Sequence, residues 1–207
     1  MLGRGAVVLA GLLAVASVGR AAESTPTAVV QRFDDALLSV LKDGDKLGYS
    51  GRYQRLSQVM QETFDLDFMA EKVLGTRWND LSEADRGRWR EVFSEFTIAN
   101  YAANFDRFTG QQFDIRGEEQ SANGTVLVKT LVRSPGHEDV ELTYRLHRVG
   151  ARWRIMDVFL KGTVSELALR RSDYGSVLQR DGFDKLVDVL RSRIADLAAG
   201  RAKQEQP

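Results

Sequence analysis

"WRIMDVFLKGTVSELALRRSDYGSVLQRDG" runs from Trp153 to Gly182. Its first eight residues read as a buried strand, apolar on both faces: Trp153, Ile155 and Phe159 on one side, Met156, Val158 and Leu160 on the other. A strand of that kind lies near the centre of a sheet or beneath a helix. The remainder of the stretch is largely polar, with two adjacent arginines and no histidine or cysteine. Beyond it, Phe183, Leu186, Val187, Leu190, Ile194 and Leu197 recur at helical spacing. So a strand rich in apolar side chains leads into two closing helices that offer no reactive group.

Upstream, three more segments read as strands: Gln112–Glu119, Thr125–Arg133 and Asp139–Val149. The connections "SANG", "SPGH" and "GA" carry hairpin turn residues, so the four strands form an antiparallel meander. Val140, Leu142, Tyr144 and Leu146 alternate with Glu141, Thr143, Arg145 and His147, the pattern of a sheet with one covered face. Before the sheet come helices. Ser24-Thr25-Pro26 is the cap signal of one that carries Val29, Val30, Phe33, Leu37, Val40 and Leu41. A second runs from about Leu47 to Gln61. A third has Asp65 as cap and Gly75 as stop. Ser82 and Asp85 open a fourth, which carries Trp89, Val92, Phe93, Phe96, Ile98, Tyr101, Phe105 and Phe108. From Val92 onward it is apolar around much of its circumference, so it is enclosed on more than one side. The order implies an α+β fold, with a curved sheet of about four strands wrapped by six to seven helices around an apolar pocket. NTF2-like and cystatin-like domains have that shape.

Met1–Ala21 has Arg4, then "GAVVLAGLLAVASV", then small residues, which is the pattern of a secretory signal with cleavage after Ala21 or, as the alternative, after Gly19. Export to the periplasm is the expectation. Cleavage would leave 27 basic against 29 acidic side chains, too balanced for a nucleic-acid footprint. The chain has no cysteine, which excludes disulfides, thiol chemistry and a Cys-ligated metal. A single domain over 22–199 and a disordered tail over 200–207 complete the expected organisation.

Candidate chemistry is sparse. His137 falls in a turn and His147 on a polar strand face, neither with a second ligand at metal spacing. No GxSxG, GxGxxG or P-loop pattern occurs. Asp157 with Tyr144 on the neighbouring strand is the one acid/base pair, and would suit an NTF2-like isomerase. The alternative is that Asp157 accepts hydrogen bonds from a turn or helix start, or pairs with an arginine. Arg170 and Arg171 either meet a phosphate or acidic partner, or form a solvated face with Arg171 paired to Asp173 or Glu166. The aromatic stripe of the fourth helix is either core or the wall of a ligand cavity. In the cavity reading, Phe93, Phe96, Tyr101, Leu142, Tyr144 and Ile155 line the pocket.

The stretch from Arg152 to Ile194 resembles the C-terminal half of the MlaC family of periplasmic lipid-binding, toluene-tolerance auxiliary proteins. The matching positions are Trp153, Asp157-Val158, Gly162, Arg171-Ser172, Tyr174, Gly182-Phe183-Asp184 and Leu186. Phe64 to Phe96 is similar to the family's middle segment. Arg170 stands where many members have tyrosine. "TVSELALRR" is similar to the wording of the hopanoid-associated HpnM branch, which would change the lipid class. The resemblance implies a phospholipid or hopanoid carried in an apolar pocket. It also implies movement between an inner-membrane transporter and an outer-membrane lipoprotein complex, by a monomer with no cofactor, no metal and no catalytic residue. Arg170 and Arg171 are then candidates for headgroup or partner contact. An NTF2-like enzyme and a cargo-free adaptor are the competing functions.

Overall fold

The structure is a computed structural model that describes residues 25–201. The leader expected at 1–21 and the tail residues 202–207 lie outside the described residues. Arg201 pairs with Asp196 at 2.8 Å.

Helix α1, Pro26–Lys42, starts where the Thr25 side chain accepts from the Ala28 amide, with proline in the first turn. Helix α2, Gly44–Thr63, begins earlier than the spacing implied and kinks at Gly48, whose φ of 56° suits glycine. Helix α3, Leu66–Leu74, is capped by Asp65 and stopped at Gly75, as expected. A 3-10 turn over Gly75–Asp80 comes next. Helix α4, Glu83–Asn104, is capped by Ser82, which accepts from the Asp85 amide. It ends before Phe105, so Phe108 lies outside it and is exposed, contrary to the spacing. Just beyond the helix the Asp106 carbonyl seats against Gly44. Helices α5, Glu166–Asp181, and α6, Phe183–Ala198, close the fold.

Strands β1 (Gln112–Gln120), β2 (Val126–Arg133), β3 (Val140–Val149), β4 (Arg152–Leu160) and β5 (Val164–Ser165) form one antiparallel meander in sequence order. The fifth strand, beyond the four expected, arises at Lys161 and Gly162. Both have positive φ and return the chain so that Val164 pairs with Leu160. The observed architecture is the expected α+β class, with six α-helices and a curved five-stranded sheet among the described residues.

The layering differs from the expectation in one respect that matters for function. Helix α4 packs on α2, α3 and α6, which accounts for its apolar circumference, whereas α1 lies across the sheet. The α4 aromatics therefore serve mainly the helical layer. The Trp89 indole N–H donates to the Ala70 carbonyl at 2.7 Å, and its ring meets Tyr174 and Phe183.

One substitution tests the α1–α2 corner. A methyl group on Gly44 would overlap the Asp106 carbonyl, which is backbone and cannot rotate away. Gly44→Ala should cost about 1–3 kcal/mol, read as a lowered midpoint in urea. An unchanged midpoint would show that this corner yields without cost.

Candidate functional site at the helix–sheet interface

The covered face of the sheet is built by register. Across β2 and β3, Val126 is opposite Leu146, Val128 opposite Tyr144, Thr130 opposite Leu142 and Val132 opposite Val140. Across β3 and β4, Leu142 meets Leu160, Tyr144 meets Val158 and Leu146 meets Ile155. A bulge next to Leu146 shifts the register there, so Ile155 and Val158 share this inner face. Strict alternation had put them on opposite faces; the extra residue, Met156, is the reason they are not.

This face is not evenly covered. The rows of Val128, Tyr144 and Val158 and of Val126, Leu146 and Ile155 are buried. Toward the other end, Phe113, Ile115, Val132, Leu142 and Leu160 are only half-buried. Val140 is 39% and Val164 41% exposed. One end of the inner face is therefore an apolar surface open to the outside, and it runs continuously into a closed interior.

The boundary between the two zones is polar. Helix α1 presents Phe33 and Asp34 to the sheet. Phe33 meets the rings of Tyr144, Tyr101 and Phe64 edge-on. Asp34 is 1% exposed. Its carboxyl accepts from the Tyr144 hydroxyl at 3.0 Å and from the Thr130 hydroxyl at 3.2 Å. Burial pushes its pKa from 3.8 to about 7, against the lowering effect of those two bonds; Asp35 raises it further. The same burial raises the Tyr144 and Tyr101 phenols.

The six pocket candidates divide between two layers. Leu142, Tyr144 and Ile155 lie on the inner face, and Tyr101 reaches it from α4 through Phe33. Phe93 and Phe96 are buried in the helical layer, away from the sheet contact assumed for α4. The acid/base pair does not form. Tyr144 faces Val158, whereas Asp157 pairs across the strands with Arg145 and so faces the opposite side. Asp157 instead accepts from the Val158 and Leu167 amides and the Ser165 hydroxyl, tying β4 to the start of α5. Burial raises its pKa and these bonds lower it. This is the helix-start role that the sequence allowed.

His147 bonds Asp65 at 2.8 Å and its ring lies tilted against Phe68, fastening α3 to the sheet. The two arginines diverge. The Arg170 side chain is 18% exposed; it donates to Thr97, approaches Glu166 at 3.7 Å and lies over the Phe96 ring. Arg171 lies against Gly75, not Asp173 or Glu166, and with Arg77, Ser172, Ser176 and Gln179 it borders a cleft of about 540 Å³.

Asp34 is the residue that sequence reasoning missed. The signal was present: in "VVQRFDDALL" it follows Val30 by four and precedes Leu37 by three, an acid on the apolar stripe.

The comparisons with known proteins agree with this architecture. The profile described as MlaC protein matches residues 31–192, from α1 into α6. The intermembrane phospholipid transport system binding protein MlaC of Haemophilus influenzae is 21% identical over 177 residues, covering 82% of each chain. A phospholipid-binding protein from Ralstonia solanacearum, solved in complex with a phospholipid, aligns with a TM-score of 0.72 at 23% identity. That alignment covers 83% of this chain and 97% of the other. With its profile matched from the first helix to the last and the sheet and helices in the same arrangement, the chain belongs to the MlaC family.

Proposed function

We propose that this protein binds a phospholipid between α1 and the inner face of the sheet and carries it through the periplasm. The observation that carries the reading is the apolar inner face, half-open at the Val140–Leu142 end and continuous with the interior beneath α1. A lipid tail exposed to water costs about 0.8 kcal/mol per methylene. A carrier must cover nearly all of that surface, and a continuous apolar face with an open end is the means. The membership in the MlaC family and the phospholipid bound to the Ralstonia relative support a glycerophospholipid as cargo.

In this reading Leu142 stands at the entrance, Tyr101 and Tyr144 flank the route and Ile155 lies at its depth. Phe93 and Phe96 back the helices that form the opposite wall. Arg170 is engaged internally, so Arg171, with Arg77 at the open cleft, is the one of the pair able to meet a phosphate headgroup or an acidic partner. Movement between an inner-membrane transporter and an outer-membrane lipoprotein complex completes the proposal. Transfer makes and breaks no covalent bond. The enzyme reading loses its dyad, because Asp157 and Tyr144 lie on opposite faces.

Mass spectrometry of an organic extract of the purified protein tests this directly. About one phospholipid per chain is the expected result. A polycyclic triterpenoid would replace the phospholipid with a hopanoid, and an extract free of lipid would favour the adaptor.

A further inference from the structure

We propose that the hydrogen-bonded node of Asp34, Thr130 and Tyr144 is a gate for cargo exchange, which must part before acyl chains can pass from the open end of the sheet into the interior. The inference deepens the lipid-carrier reading and rests on it for its cargo.

Lengths point to the node first. The hydrocarbon of one membrane leaflet is about 15 Å thick, half of a typical ~30 Å core. Successive inner-face residues on a strand are about 7 Å apart. The half-open end spans only the rows of Val140 and Leu142, so it shelters less than half of an extended acyl chain. The rest must pass the next row, where Tyr144 and Val158 are buried. That row is also where α1 is fastened. Thr130 belongs to the Leu142 row and Tyr144 to the one beyond, and Asp34 bonds both. The node therefore straddles the border between the open and closed zones.

The chemistry of the node suits a gate better than a fixed strut. A strut at this position would be better made of apolar side chains, because a buried carboxyl costs desolvation in either protonation state. Its partners are two neutral hydroxyls. The groups that act on Asp34 or that it acts on are Tyr144 and Thr130 of the sheet, Asp35 on its own helix and Tyr101 on α4; none is a cation. The charged groups elsewhere around α1 are engaged away from the node. Arg32 pairs with Glu62 of α2, Arg55 of α2 with Asp43, and Glu118 of β1 accepts from Thr27. Asp157 of β4 faces the other side of the sheet. With no counter-ion, an ionised Asp34 disfavours the closed interface, whereas a neutral one retains it. The raised pKa places that change within the ordinary pH range.

Opening exposes Asp34 to water and returns its pKa toward 3.8. The closed form then loses ground as pH rises between that value and about 7, and no further above it. The test loads the full mature protein with fluorophore-tailed phosphatidylethanolamine and follows release to phosphatidylcholine vesicles from pH 5 to pH 8. Wild-type release should accelerate about tenfold or more between pH 5 and pH 7, then level off. Asp34→Asn, whose amide oxygen can accept from one hydroxyl while its NH2 donates to the oxygen of the other, should release slowly at every pH. Thr130→Val, which keeps the volume and removes one donor, should release faster than wild type at pH 5.

Wild-type release that is flat from pH 5 to pH 7, or an Asp34→Asn curve that follows wild type, would overturn the gate. Hydrogen exchange of the cargo-free protein separates this from failure of the lipid reading. Protection of α1 relative to α6 should fall between pH 5 and pH 7 in wild type and not in Asp34→Asn. If that occurs while no phospholipid loads, the gate stands and the cargo assignment falls. If lipid loads and relative protection stays constant, the gate falls and the carrier stands.

Discussion

Asp34→Asn is expected to stabilise the folded protein at pH 8 and to remove the pH dependence that this carboxyl contributes to its stability. The carboxyl's pKa is raised on folding, so the folded state holds its proton more tightly than the unfolded chain. Stability from this group is fully present below 3.8 and is lost as pH rises to about 7. Each unit of that interval is worth about 1.4 kcal/mol, so the loss by pH 8 is on the order of 4 kcal/mol. Asparagine cannot ionise and escapes it, but its NH2 replaces an acceptor oxygen and leaves one buried amide hydrogen without a partner, at a cost of about 1–3 kcal/mol. The net expectation is a gain of about 2 kcal/mol at pH 8 and a net loss at pH 4. Urea midpoints of the two proteins across that range check it. Parallel curves would mean that Asp34 is ionised in the fold and balanced by something the hydrogen bonds do not reveal.

Leu190→Glu should abolish folding, whereas Leu142→Glu should leave the fold and abolish lipid uptake. Leu190 is 1% exposed in α6, a helix that packs against α4 and α5. A carboxylate there has no counter-ion prepared for it, and breaking the packing adds several kcal/mol. A domain stable by about 5–15 kcal/mol cannot sustain both. Leu142 sits at the half-open end, where a carboxylate can turn to water, so its cost falls on the cargo. Circular dichroism and lipid loading of the two variants give the comparison. If Leu142→Glu unfolds like Leu190→Glu, the open end is ordinary core and the entrance lies elsewhere. Phe96 cannot stand in for Leu142 in this test, because it is buried in the helical layer under Arg170.

The elements of the fold were legible in the residues because their signals are local. Thr25, Asp65, Ser82 and Gly75 start or stop helices through bonds and backbone angles within a few positions of themselves. The hairpins and the alternation from Val140 to Leu146 have the same origin. Two departures from the local pattern coincide with contacts between elements. Helix α4 ends at Asn104, and just beyond it Asp106 meets Gly44 of α2. Met156 enters a bulge set by the pairing of β3 and β4, which brings Ile155 to the inner face. The short strand β5 has a local origin, since the positive φ of Lys161 and Gly162 returns the chain to Leu160.

The same division holds for the site. By itself the sequence determined the helix–meander–helix order, the apolar inner face of β3, the absence of a nucleophile–base constellation and the likeness to MlaC. Each of these is written in periodicity or in short motifs. Only the tertiary structure decided which helix covers that face and which acid meets Tyr144. Asp157 is the nearer candidate in sequence and on the adjacent strand, yet strand geometry turns it to the opposite side. Asp34 is 110 residues from Tyr144, and the packing of α1 brings the two within 3.0 Å. A periodic pattern shows that a helix has an apolar face, but every apolar face is compatible with every other. The choice among partners is made by shape and by the buried polar groups that must be satisfied together, and those exist only once the chain has folded.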